Sequence, residues 1–323
     1  MAGGVTVIST LRSFASFKER SKLPAYSPDI GGTFKTWPDK TQVFPSVGRC
    51  IYCKNPDDLP LSKEHIIPES IGGMTILPHA SCQQCAKITS QFERFVAQKS
   101  FDFLRKKFGI RQKPKKRNNQ PHVQVTFEKD GRRFTKRLAV CDIPANFSTI
   151  NLPTPQWYID MYPSPSPGFV KPSAITASFE PDVEQFLSLH NADRYFLPNE
   201  FNPEVLARVL AKIAHSYAIA QYGFDDVDSD LSLIILGQES PFPLVGSAPF
   251  LLSEAPHMRI HTVTGMTMPF NGENVIVVFI RLFARVSNSH FVVRVGRDRS
   301  SMDAPGWKQH SDPEFLISRM TAV

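Results

Sequence analysis

Four of the five cysteines fall in two Cys-x-x-Cys pairs, Cys50/Cys53 and Cys82/Cys85. A pair at that spacing sits on one tight turn. Two such turns supply the four soft ligands of a tetrahedral Zn²⁺. A plain zinc ribbon needs only about 15–20 residues between its pairs. Here 28 intervene, so the zinc clamps an inserted piece. Within it lies Glu64-His65-Ile66-Ile67-Pro68, an acid beside a histidine. That is the pairing a hydrolytic metal site would use.

Several local elements must position these groups. Arg49–Cys53 reads as a short strand ending in a zinc knuckle, and Asn55-Pro56-Asp57-Asp58 as a turn. Ser62–Ile67 reads as a strand carrying Glu64 and His65, and Thr75–Leu77 as the returning strand. Neighbouring residues on a strand face opposite sides, so a bend is needed for both groups to reach one phosphate and metal. Pro68 and Gly72-Gly73 supply irregularity there. Ser81-Cys82-Gln83-Gln84 fits a capping box and opens a helix. Ile88, Phe92, Phe95 and Val96 recur at helical spacing as its buried stripe. Lys87, Gln91 and Arg94 share another face, solvated or laid along a phosphate backbone.

From Arg49 to Glu93 the sequence resembles the HNH endonucleases, in the subclass whose ββα-metal core is stapled by a four-cysteine zinc. The resemblance implies a structural Zn²⁺ on Cys50, Cys53, Cys82 and Cys85. It implies His65 as general base and Glu64 as ligand of a catalytic Mg²⁺ or Mn²⁺. Those roles agree with the residues' chemistry, since imidazole titrates near neutral pH and a carboxylate suits a hard divalent ion. One position departs. Many relatives follow the second Cys-x-x-Cys with Asn or His, which completes the metal site; here it is Ala86, whose methyl coordinates nothing. Thr89, Ser90, Glu93 and His79 are the candidates to replace it, and spacing alone does not choose among them. The middle asparagine that orients the base in the family has no clear counterpart near Thr75–His79.

The remainder of the chain bounds partner and place. Net charge is +7 with a pI near 9.1, which favours a polyanionic partner. Cysteines in metal spacing point to a reducing compartment, and the expected location is cytoplasmic. No apolar run is long enough for a membrane span. Residues 1–45 read as an irregular N-terminal arm; the first part is Ser- and Arg-rich and acid-poor, as transit peptides are. Arg105–Arg117 packs eight cations into thirteen residues. Lys113, Lys115, Lys116 and Arg117 are its candidate phosphate contacts, joined by Lys87 and Arg94 from the helix; the same run also looks like a nuclear import signal. Cys141 reads as a small buried hydrophobe.

Asn118-Asn119 is the expected boundary between an HNH module (46–118) and an α+β domain of unknown role (119–323). In that second part, 122–128 and 133–140 flank Asp130-Gly131 as a β-hairpin. Gln156–Tyr162 reads as a strand within a Pro-rich stretch. Asn202-Pro203-Glu204 opens a helix that Gly223 closes, with Leu206, Leu210, Ile213 and Tyr217 on its apolar face and His215 as a structural or surface group. Phe224–Asp230 is an acidic turn, lacking the glycine and terminal glutamate of a calcium loop. Strands follow at 257–263, 274–284 and 290–295, the second one central, and a short helix is expected over 312–320.

The expected class is therefore α+β: a zinc-stapled ββα-metal module plus a larger α+β domain. The leading functional expectation is a metal-dependent HNH endonuclease that hydrolyses DNA, with RNA not excluded and a homodimer possible for double-strand cuts. The alternative is a catalytically inactive, zinc-stapled nucleic-acid-binding protein, for which Ala86 and the basic strip argue.

Overall fold

The computed structural model describes residues 35–36, 42–55, 60–110, 121–144, 146–161, 169–178, 183–248, 260–284, 287 and 289–300. The 118/119 boundary, the turn at 56–58, Lys113, Lys115, Lys116, Arg117 and the expected helix at 312–320 lie outside them.

The chain is α+β. A hairpin of β2 (Ser62–His65) and β3 (Ile76–Ser81) runs directly into α1 (Gln83–Phe95), giving a ββα unit beside the four cysteines. A π-helical turn (Val96–Ser100) and α2 (Asp102–Lys107) continue it. Next come β4 (His122–Lys129) and β5 (Arg132–Ala139), paired in register around Asp130 and Gly131. Both turn residues have positive φ, 49° and 75°, as the mirror-image hairpin turn demands. β6 (Asn146–Asn151) pairs with β7 (Ser173–Ser178), and α3 (Gln156–Met161) lies between them in sequence. After α4 (Val183–Leu189), β8 (Arg194–Phe196) adds to β4.

The organising element is α5 (Pro203–Tyr222). Asn202 caps it, its side-chain oxygen accepting from Val205 N at 3.1 Å, and Gly223 at φ 102° ends it. Leu206, Leu210, Ile213 and Tyr217 are fully buried, as their spacing predicts. Beyond α5 come β9 (Val227–Ser229), α6 (Ser232–Ile235), β10 (Val245–Ser247), β11 (Thr262–Phe270), β12 (Glu273–Arg281) and β13 (Phe291–Asp298). With β1 (Lys35–Thr36) they form an antiparallel sheet in the order β1-β11-β12-β13-β10, with β9 also on β13. β12 is interior and its Val275–Ile280 run is apolar because both faces are covered. α5 packs on this sheet by one side and on α1 by another, so one hydrophobic core runs from Cys50 to Val295.

Four local expectations are corrected. Ile51–Cys53 is a turn and not part of a strand, with Lys54 at φ 58° and its amide on the Cys50 carbonyl at 3.0 Å. That curl lets both thiols of the pair face one point. Gln156–Met161 is helical: Pro155 fits the first turn of a helix, and its carbonyl accepts from Tyr158 at 3.0 Å. The helix buries Trp157 and Tyr158. The cap of α1 is Cys82, whose sulfur accepts from Cys85 N at 3.4 Å; Ser81 remains in β3. Cys141 is exposed in a 3-10 turn, and Val140 takes the buried position beside it.

Candidate functional site

The sulfurs of Cys50, Cys53, Cys82 and Cys85 all lie within 4.8 Å of one another, and Cys53 and Cys82 are 3.8 Å apart. A tetrahedral ion with Zn–S bonds of about 2.3 Å sets its sulfurs about 3.8 Å apart. None of the five cysteines is in a disulfide. The cluster suits structural zinc. Its protons are already shared: the Cys85 thiol bonded to Cys50 holds the Cys50 thiol down at about 4, and Cys85 is pushed up in turn.

The insert folds as one turn on the hairpin. Glu69–Ile71 form a single 3-10 turn after Pro68, closed by Gly72 at φ 101°. Gly73 packs on the Ile67 carbonyl so closely that a Cβ would stand 1.8 Å from it, so only glycine fits. In the hairpin the register places Glu64 opposite Leu77 and His65 opposite Ile76. Paired residues share a face, so Glu64 points with Leu77 into the core and His65 with Ile76 outward. The irregularity in pairing falls between Ser62 and Glu64, ahead of the acid. It leaves the Glu64–His65 step regular, and the two groups stay on opposite faces.

His65 is half-buried, its side chain 16% exposed, and Nδ1 lies 3.8 Å from the Glu69 carboxylate. Burial lowers its pKa from the usual value, with Glu69 pulling the other way. It is therefore a neutral imidazole at neutral pH. Glu69 carries no motif of its own in the sequence, although it stands at i+4 from His65, and that spacing is the signal by which it could have been found.

Glu64 is held in a buried ion cluster. Its Oε1 is 2.6 Å from the ammonium of Lys212 on α5, and Glu93 Oε1 on α1 approaches the same ammonium at 2.9 Å. Lys212 is fully buried and also donates to the carbonyls of His65 and Ile66. Desolvation works against its charge, but the two carboxylates prevail and raise its pKa. Burial raises that of Glu93. The residues as arranged do not fit a catalytic divalent ion on Glu64.

Among the other candidates near Ala86, Glu93 is the one drawn to Glu64's neighbourhood. Thr89 bonds the Ala86 carbonyl, Ser90 bonds the Lys87 carbonyl, and exposed His79 bonds Ser46 at 3.0 Å. Lys87, Gln91 and Arg94 are exposed on α1. The start of the basic strip is used internally: Arg105 is buried on the Ala97 carbonyl, Lys106 pairs with Asp102, and Lys107 bonds the Ile143 carbonyl. Each aspartate of the turn at 224–230 for which a salt bridge is seen faces an arginine: Asp225 with Arg49, Asp228 with Arg297 and Arg299, Asp230 with Arg294.

α5 meets the module along a single stripe. Arg208 lies over the Phe92 ring at 4.9 Å, Lys212 holds Glu64, His215 donates to the Ile51 carbonyl at 2.7 Å, and Ser216 contacts the Tyr52 hydroxyl at 3.4 Å. These positions recur at i, i+4, i+7 and i+8, polar on an otherwise apolar helix. That pattern was legible in the sequence and is the signal by which Lys212 could have been found.

Among the described residues, no helix is long and apolar enough to cross a membrane. Neither curated proteins nor solved structures gave a match to the chain. A profile of the HNH endonuclease family matches residues 50–100, the span that holds both cysteine pairs, the hairpin, Glu64, His65 and α1. The chain thus carries an HNH endonuclease family domain at residues 50–100, built around a four-cysteine cluster that suits zinc.

Proposed function

We propose that the protein hydrolyses phosphodiester bonds of nucleic acid, DNA first, with His65 as the general base that takes the proton of the attacking water. One observation carries this reading: within the family domain, His65 is the titratable group of the Glu-His pair that faces outward, neutral and partly exposed beside Glu69. A base must be unprotonated at working pH and within reach of water, and His65 meets both conditions. Mg²⁺ or Mn²⁺ remains the expected cofactor of such chemistry, but no step is assigned to an ion on Glu64, which Lys212 holds. The proposed phosphate contacts are Lys87 and Arg94, exposed on α1, and, from the sequence of the basic strip, Lys113, Lys115, Lys116 and Arg117.

A second reading, nucleic-acid binding without cleavage, is favoured by the Glu64–Lys212–Glu93 cluster and by Ala86. Incubation with supercoiled plasmid in Mg²⁺ or Mn²⁺ separates the two. One base per chain gives nicked circles before linear DNA. Binding with no nicked product in either ion supports the second reading. In both readings, neutralising Lys113, Lys115, Lys116 and Arg117 flattens the salt dependence of DNA binding, by up to about 0.9 in log–log slope for each phosphate no longer neutralised.

A further inference from the structure

A buried lysine ordinarily needs one carboxylate. Lys212 has two, Glu64 at 2.6 Å and Glu93 at 2.9 Å, and two main-chain carbonyls besides, those of His65 and Ile66. An ammonium has three protons for these four oxygens. Of the two carboxylates Glu93 is the farther from the ammonium, its Oε1 at 2.9 Å against 2.6 Å for Glu64. Two carboxylates and two carbonyls converging on one point form the donor set of a hard divalent cation. The charges agree, since one lysine leaves a second negative charge unmatched in the interior, where an unpaired charge is costly. Burial, and after it the neighbouring Glu64 carboxylate, raises the Glu93 pKa, with Lys212 opposing.

The three side chains come from three elements. Glu64 is on β2 and Glu93 on α1, both in the family domain, while Lys212 reaches in from α5, more than 100 residues later. We propose that the Lys212 ammonium is a built-in cation that occupies a divalent-ion site formed by Glu64, Glu93 and the His65 and Ile66 carbonyls, so that the wild-type protein binds no Mg²⁺ or Mn²⁺ on Glu64. Glu93 is the more exposed of the two carboxylates, its side chain at 19% against 8% for Glu64, with Lys212 at 0%. Removing the lysine ammonium would leave four oxygen donors facing one point. The inference rests on the geometry at Glu64 and is independent of whether the protein cleaves nucleic acid.

The test is Mn²⁺ titration of the zinc-loaded full chain, followed by the electron paramagnetic resonance of free Mn²⁺, with no nuclease readout. Wild type and Glu64→Gln bind the same amount of Mn²⁺. Lys212→Met gains one tight Mn²⁺ per chain, and Lys212→Met/Glu93→Gln loses it again. A wild-type Mn²⁺ site that Glu64→Gln abolishes would overturn the proposal, since the ion would then displace the lysine. So would a folded, zinc-replete Lys212→Met that gains no Mn²⁺. If Lys212→Met loses its zinc and fold, the wild-type and Glu64→Gln comparison decides alone: equal binding supports the proposal and a site lost in Glu64→Gln refutes it.

Discussion

The imidazole of His215 donates to the main-chain carbonyl of Ile51 at 2.7 Å, across 164 positions of chain. Ile51 lies inside the first cysteine pair, so a helix of the second half of the protein holds that cysteine turn by its backbone. His261 does the same one turn beyond the Glu-His motif: it donates to the Ile71 carbonyl at 2.8 Å and accepts from Phe283 N at 3.2 Å. A family domain of about fifty residues buries a small fraction of its surface by itself, and here it shares one core with α5 and the large sheet.

Burial lowers each pKa to about 4, and at His261 the bond accepted from Phe283 N is open only to the neutral ring. Against an unfolded value near 6.5, the unfolded chain takes up two protons that the native state refuses. Their contribution is complete above pH 6.5 and is lost as pH falls toward 4. The slope is at most about 2.7 kcal/mol per pH unit within that window. Urea midpoints measured from pH 8 to pH 5 should stay level above 7 and drop below 6.5. His215→Asn should weaken that drop by about one proton. A level midpoint down to pH 5 would contradict this account of the two histidines.

The cysteine cage should carry most of the local stability. Structural zinc contributes about 10–16 kcal/mol of apparent binding energy in small modules. Cys82→Ser removes a ligand and the cap of α1 together. The expected result is loss of zinc and of the fold over residues 50–100. Cys141→Ser, at an exposed site outside the cage, should change neither. Elemental analysis should find one zinc per wild-type chain, and folded wild-type protein without zinc would exclude the cage.

How far the sequence revealed this structure depended on how local each signal was. Asp130-Gly131, Asn202-Pro203 and Gly223 act on their own turns, and the hairpin and α5 stand where those residues place them. The cysteine spacing likewise located the ββα unit. Misreadings came where tertiary contact overrode local preference. Gln156–Met161 is helical because Trp157 and Tyr158 find a core. Ser81 cedes the cap to a cysteine fixed by the cage. Glu64 is the sharper case: its residue type and neighbour suit a metal, but its environment is decided by Lys212, 148 positions away. A polar stripe on an apolar helix shows that α5 docks on something; it does not name the partner surface.

The pH dependence of cleavage should follow His65. A general base works only when unprotonated, so the rate rises with pH through its pKa and levels off above it. Burial puts that pKa below 6.5, and Glu69 partly opposes the shift. The acidic limb of the pH–rate profile should therefore lie below pH 6.5, and Glu69→Gln should move it lower still. A limb above 7, or one indifferent to Glu69→Gln, would remove His65 as the titrating group.

The central claim is that His65 performs the chemistry without holding the structure. It faces outward, lies outside the cysteine cage, and has the Glu69 carboxylate 3.8 Å from Nδ1. The most direct measurement is the plasmid-nicking rate of His65→Ala against wild type, on preparations matched for zinc content and DNA affinity. Loss of a positioned base costs about 10²–10⁴ in rate. We expect a fall of that size with zinc and affinity unchanged; a His65→Ala protein that nicks at the wild-type rate would contradict the account.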